Sequence, residues 1–373
     1  MNKPAYGDVE AGAAFLAALG TDDVTKLRPA PPKDAPARLQ YIRIPGVLDL
    51  SFSKRASLNK CPRYFKLRET EGLSSFTPSA HTAFGHSYGA GIQTFFKYAD
   101  SHGLQAAEEF AQCAVLAWWD TYNIYDADPR NTKTIWACVA AVEKFCRNEG
   151  AELHKRYKVA IHPKTGRSLI ELLYYIDING AYSDQGHIDL VLEDRNTGEL
   201  MPVEVKTGSK TFNPSDWSNS SQTIGYSVVL QHFGLMHKQQ AAYYVLYLCY
   251  DAVGRELQQF YFTRPLTERA EWLASLMFDV QIVAMYNEAG VWPKRGTACR
   301  TYKRDCEFYG VCDLTHMKKP DLSTYQSLDL DKADFYCTIQ ELIEGAQQEL
   351  ETSGDGAAED FELTLNEYKP IES

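Results

Sequence analysis

Residues 186–208 read Gly186-His-Ile-Asp-Leu-Val-Leu-Glu-Asp-Arg-Asn-Thr-Gly-Glu-Leu-Met-Pro-Val-Glu-Val-Lys-Thr-Gly208. Two short runs rich in apolar and β-branched residues, 187–193 and 200–206, flank Asp194-Arg-Asn-Thr-Gly198, a turn sequence. The pattern predicts a β-hairpin. Asp189 falls on its first strand, Glu204 and Lys206 on its second. Side chains alternate across a strand, so Glu204 and Lys206 share one face. Two carboxylates and a lysine on one face suit a hard divalent cation that takes oxygen ligands and keeps several waters, as Mg²⁺ does. The lysine could orient or deprotonate an attacking water, or stabilise charge on a phosphate. An ordinary exposed hairpin carries the same residue types, and the spacing alone does not separate the two.

Outward from the hairpin the periodicity changes repeatedly. Residues 84–97, 106–122 and 132–155 read as helices, and 169–178 as a strand. After the hairpin come a helix over 220–233, strands over 243–250 and 256–263 around Gly254, and an amphipathic helix over 267–288. This order predicts an α/β sandwich with a mixed sheet flanked by helices, not a regularly alternating doubly wound fold. Residues 1–45, with the proline-rich stretch Arg28 to Ala37, read as a leader and linker. Residues 46–320 form the expected domain. Residues 321–373 form an acidic, flexible tail, most clearly from Gly345 onward.

The chain has 373 residues, 45% of them hydrophobic and 23% charged, which excludes a wholly disordered or low-complexity protein. No apolar run approaches the ~18 residues of a membrane span, and the first ten residues lack the pattern of a secretory signal. Nine cysteines, an odd number, argue against a disulfide framework and for a reducing compartment. The net charge of −11 is not evenly spread. From Asp321 onward fourteen acids face two bases, which leaves the first 320 residues close to neutral and able to carry a local basic groove.

The motifs together resemble the PD-(D/E)XK nuclease superfamily, and within it the RecB-like exonuclease branch. The branch hairpin reads approximately G-x-x-D, then (D/E)-x-K-T-G, which Gly186 to Asp189 and Glu204 to Gly208 match. Ile188 stands where the superfamily name places proline. The resemblance implies a restriction-endonuclease-like core with a helical insertion. It implies Mg²⁺ or Mn²⁺ on Asp189, Glu204, the Val205 carbonyl and His86, with Lys206 as the catalytic lysine. His86 follows Gly85 near the start of the predicted helix, where the branch carries its histidine. Gln222-Thr-Ile-Gly-Tyr226 matches the branch's Q-x-x-x-Y motif, and at i and i+4 both side chains share one helix face. Glu171, on the first strand, would support the site from behind.

Four cysteines stand apart: Cys61, in Cys61-Pro-Arg-Tyr-Phe65, and Cys299, Cys306 and Cys312 near the other end. Cys113, Cys138, Cys146 and Cys249 read as small core residues, and Cys337 has no assigned partner. One cysteine upstream and three downstream is unusual for a zinc finger, whose ligands come as close pairs. It resembles the iron–sulfur staple of RecB-like nucleases, which implies a [4Fe–4S] cluster on these four thiolates. The C-x6-C-x5-C spacing departs from the commoner C-x2-C-x5-C, so zinc stays open. The staple would bring together two basic runs, Lys54 to Arg68 and Lys294 to Arg304, interleaved with Tyr64, Phe65, Tyr302 and Phe308, as a surface for phosphates and unpaired bases.

The implied protein is a metal-dependent deoxyribonuclease acting on single-stranded DNA or DNA ends in recombination, repair or phage DNA metabolism. It would work in the cytoplasm of a prokaryotic cell or phage-infected host, with no membrane partner. No G-x-x-x-x-G-K-(S/T) loop occurs, so a recombinase, helicase or single-strand-binding partner would be a separate chain. The rivals are a non-catalytic DNA-end-binding or scaffold module that retains the staple, and a zinc-stapled protein-interaction domain docking through the acidic tail.

Overall fold

The computed structural model describes residues 44, 46–73, 79–122, 124, 132–208, 210–218, 220–235, 242–301, 304–309, 312 and 335–353. The leader, Tyr302, Lys303 and the last twenty residues lie outside them. The chain enters through β1 (Leu48–Asp49), α1 (Phe52–Lys60) and the short α2 (Pro62–Phe65). A helical segment follows: α3 (Ala80–His102), α4 (Leu104–Asp120), α5 (Ile135–Phe145) and α6 (Ala151–Arg156). The sheet strands are β2 (Tyr157–Val159), β3 (Ile170–Asp177), β4 (Tyr182–Asp194) and β5 (Leu200–Gly208). Then come α7 (Ser221–His232), β6 (Ala242–Asp251), β7 (Glu256–Pro265) and α8 (Leu266–Ala289). The small ribbon β8 (Arg300–Thr301) and β9 (Arg304–Asp305) precedes β10 (Phe335–Thr338) and α9 (Ile339–Ser353).

The main sheet runs β10-β3-β4-β5-β6-β7, with β1 and β2 pairing along β4. β3, β4 and β5 are antiparallel neighbours, and Leu190 faces Val203 across the hairpin. β6 lies parallel to β5, so the chain must cross over, and α7 lies within that crossover. One core holds the helical segment against the sheet, through Phe84, Tyr88, Ile92 and Phe96 of α3 with Leu192, Val203 and Leu248. A second core covers the other face with α1, α7, α8 and α9, through Leu58, Val229, Trp272, Leu273 and Leu342. The result is an open mixed sheet between helical layers, consistent with a restriction-endonuclease-like fold.

Three expectations change in detail. The helix expected over 132–155 is broken by a π-turn at Cys146–Gly150 between α5 and α6. β4 begins at Tyr182, five residues before its expected start, because its early half pairs with β1 and β3. The acidic segment is not tail throughout. β10 adds to the sheet edge parallel to β3, and Phe335, Cys337, Ile339 and Leu342 are buried in the second core.

Candidate active site

The register of the sheet assembles the site. Asp189 and Glu204 adjoin the Leu190–Val203 pair of β4 and β5, and Glu171 and Asp189 fall between the Ile170–Leu190 and Leu172–Ile188 pairs of β3 and β4. Three acids thus form one row over three adjacent strands. All three line a cleft of about 400 Å³ together with Gly85, His86, Gln93, Trp118, Gly186, His187, Val205, Lys206, Gln222 and Tyr226.

Each side chain is fixed from a different element. The Val205 amide donates to Asp189 Oδ2 at 2.9 Å. Lys206 is ion-paired with Glu204 and donates to Gln222 Oε1 at 3.0 Å. Gln222 Nε2 donates to the Tyr226 hydroxyl at 2.6 Å, which in turn donates to the His187 carbonyl at 2.8 Å. One turn of α7 therefore ties the lysine on β5 to the backbone of β4. Lys206 also lies 5.7 Å from the centroid of the Trp217 ring, a cation–π contact. The Gln93 amide from α3 donates to Glu171 Oε1 at 2.5 Å. Glu171 has a φ of 49°, a left-handed backbone that non-glycine residues seldom adopt. Gly186 is required by space, since a Cβ there would lie 2.7 Å from the Tyr174 hydroxyl.

His86 stands on α3 beside β5, where neighbouring Gly85 faces Thr207. Its Nδ1 is hydrogen-bonded to the Tyr122 hydroxyl, and its ring meets Trp118 edge-on. The imidazole is held below its ordinary pKa by desolvation in the cleft.

The carboxylates repel one another. Burial raises the pKa of Asp189 well above its ordinary value, and Glu204 and Glu171 add to the rise. Burial likewise lifts Glu171, with Glu204 adding and Gln93 opposing. For Lys206 burial works against the charge, but Glu204 and Asp189 outweigh it and hold the ammonium above its ordinary value. Glu204 Oε2 and Glu171 Oε2 are buried with no hydrogen-bond partner. Buried, unpaired carboxylate oxygens beside a third acid are the donor set a hard divalent cation neutralises, so these residues fit Mg²⁺ or Mn²⁺. Among the described residues no three His, Cys, Asp or Glu side chains form a finished metal cage.

The four singled-out cysteines come to one second site, though among the described residues no three of them close into a metal-holding group. Cys61, Cys299, Cys306 and Cys312 line one cavity of about 340 Å³ with Leu67, Phe308, Tyr64 and Lys60. Arg63 ties the ends together by donating to the Trp292 carbonyl at 2.8 Å. Among the described residues of the two basic runs, several charges are already compensated by ion pairs. Lys54 pairs with Asp49 and Glu69, Lys66 with Glu71, Arg68 with Glu307, and Arg300 with Asp305. Phe65 and Phe308 are buried, so neither presents a face to a base.

Reasoning from sequence missed Gln93, Trp118 and His187 as parts of the cleft. Gln93 lies seven residues after His86, two turns along the same helix face, and that spacing was a usable signal. Trp119 continues the core stripe of Ala107, Ala111 and Val115 and donates to the Ile124 carbonyl at 3.0 Å, whereas Trp118 lies one position off that stripe and nothing local shows that its face lines a cleft.

This fold and site define a PD-(D/E)XK-type nuclease class. The family model described as the PD-(D/E)XK nuclease superfamily matches residues 49–313, and the chain belongs to that superfamily. No curated protein matches the chain. A solved structure titled "Crystal structure of SSO0001" aligns at 14% identity over 60% of this chain and 84% of that one, with a TM-score of 0.23. A likeness at that score carries no inference about this protein. No helix among the described residues is long and apolar enough to cross a membrane.

Proposed function

We propose that the protein is a RecB-like, divalent-metal-dependent deoxyribonuclease that acts as an exonuclease on single-stranded or frayed DNA ends. The observation that carries the reading is the convergence of Asp189, Glu204 and Lys206 in one cleft, with Lys206 held by Gln222 and Gln222 by Tyr226. The preference for ends, and a role in recombination, repair or phage DNA metabolism, rest on the likeness of the motifs to that branch.

Asp189, Glu204, His86 and the Val205 carbonyl would hold Mg²⁺ or Mn²⁺. The bound ion supplies a Lewis acid for the phosphate and lowers the pKa of water. Lys206, cationic between Glu204 and Asp189, orients the attacking water and donates to the charge that develops on the phosphate oxygens. Gln222 fixes where the ammonium points. Its own amide cannot flip without losing either Lys206 or Tyr226. Glu171, gripped by Gln93, places a third carboxyl behind the pair, whose ionised form a bound cation would favour.

Cys61, Cys299, Cys306 and Cys312 would hold a [4Fe–4S] cluster, a reading supported by their common cavity. Such a cross-link closes a loop of more than 200 residues and removes chain entropy from the unfolded state. A recombinase, helicase or single-strand-binding protein would deliver the ends.

The test is degradation of end-labelled single- and double-stranded DNA in Mg²⁺ or Mn²⁺ by anaerobically purified protein, wild type against Lys206→Ala. Loss of label by wild type alone is expected. A folded, cluster-loaded wild type that binds DNA ends but never cleaves them would convert the reading to an end-binding module.

A further inference from the structure

We propose that Ser51 and the N-terminus of α1 form a phosphate subsite within the same cleft, seating the backbone phosphate next to the scissile one. This rests on the nuclease reading.

The placement follows from strand pairing. β1 runs parallel to β4, with Leu48 opposite Tyr182 and Asp49 opposite Ser183, and the Leu50 amide donates to the Ser183 carbonyl at 2.6 Å. Ser51 therefore arrives level with Gln185, just before Gly186 and on the approach to Asp189. Ser51, Phe52 and Ser53 line the cleft that holds Asp189, Glu204 and Lys206.

The chemistry there is all donor. Ser51 is the N-cap of a nine-residue helix, yet its side chain makes no capping hydrogen bond. An N-cap serine ordinarily turns back to accept from the first turn, as Ser79 does for the Thr82 amide at the start of α3. Ser51 is only 5% exposed, and its hydroxyl has no partner among the described residues. The Phe52 and Ser53 amides, orphaned by position in the first turn, also find no acceptor among the described residues. No acid occupies that turn. The carboxylate two residues before, Asp49, accepts the Ser51 amide through Oδ1 at 3.0 Å and is ion-paired with Lys54 through Oδ2 at 2.7 Å. A cleft-facing hydroxyl, and two amides with no acceptor among the described residues, at the positive end of a helix dipole select an oxyanion. In a cleft whose far side is carboxylate, the oxyanion that fits is a phosphodiester of the same strand whose neighbouring phosphate reacts.

The test is equilibrium binding of a labelled single-stranded oligonucleotide in Ca²⁺ to the full chain and to Ser51→Ala, Ser51→Asp and Ser51→Thr, each checked for an unchanged melting temperature. Loss of one charge-assisted hydrogen bond predicts roughly tenfold weaker binding for Ser51→Ala. Ser51→Asp should bind more weakly still, and Ser51→Thr near wild type. Oligonucleotides carrying one neutral methylphosphonate at each position in turn give a second readout. One position should weaken wild-type binding and lose that penalty in Ser51→Ala. Should alanine not fold, the threonine and wild-type scans still decide, because wild type must show one such position. Binding unchanged in Ser51→Ala and Ser51→Asp, or a scan with no sensitive phosphate, overturns the subsite alone. A folded wild type that binds no DNA overturns the subsite together with the nuclease reading.

Discussion

Lys206 is the residue on which the proposed chemistry turns, and its surroundings define what its loss does. Lys206→Ala leaves Glu204 buried beside Asp189 with no cation of the protein's own. Cleavage in Mg²⁺ should fall by a factor on the order of 100 or more, while DNA binding in Ca²⁺ is retained. Tyr226→Phe is a finer test. It removes the donor to the buried His187 carbonyl and frees the Gln222 amide, so stability should drop by about 1–2 kcal/mol in urea melts. Its kcat should fall more than its KM rises, because the lysine loses its guide and not its substrate. The resemblance to the nuclease motifs singled these residues out, and local rules set their geometry. A period of two put Glu204 and Lys206 on one face, and a spacing of four put Gln222 beneath Tyr226. Trp118 was not legible, because helical periodicity sets it off the core stripe that holds Trp119 but does not show that its face lines a cleft.

At the scale of an element, α1 is held to β4 and α8 by one buried charge cluster. Arg55 reaches Asp184 at 3.7 Å and Asp279 at 3.9 Å, donates to the Leu50 carbonyl at 3.0 Å, and lies over Trp272. Burial pushes Asp184 up to about 7 despite Arg55, with Asp49 adding to the rise. The folded state then keeps a proton that the unfolded chain releases near 3.8. Stability from this group is full below that value and declines as pH rises toward 7. Asp184→Asn should match wild type at pH 4 and exceed it above pH 8 by on the order of 4 kcal/mol, read as urea midpoints across pH. The opposite slope would show that Arg55 holds Asp184 ionised. The sequence showed a basic run here and suggested a surface for phosphates. The fold consumed most of it in ion pairs, because acids such as Glu307 and Asp184 arrive from remote segments.

For the whole molecule, the acidic end divides at about residue 353. Ending the chain at residue 334 removes β10 and α9, and with them the buried Phe335, Cys337, Ile339 and Leu342. At about 1.5–3 kcal/mol per large buried side chain, that loss should be several kcal/mol and lower the melting temperature sharply. Ending it after Ser353 removes no described core residue and should leave the melting temperature near wild type. A chain ending at 334 that melts like the full protein would mean that the β10 edge contributes nothing to folding.

The sequence by itself determined the layered α/β class and the hairpin, since both depend on periodicity and turn chemistry within a few residues; it set Glu204 and Lys206 on one face, and the resemblance to the nuclease motifs singled them out together with Asp189. Its composition misassigned the acidic end, because charge density measures solubility and cannot report that Phe335 and Ile339 have a groove waiting beside β3. Only the tertiary structure decided that Glu171 joins the row of acids, that the four cysteines line one cavity, that several charges of the basic runs are ion-paired, and that Ser51 faces the cleft. Each of these depends on which strands become neighbours and in what register. Register is a long-range property, fixed by burying both faces of the sheet at once, and no local pattern contains it.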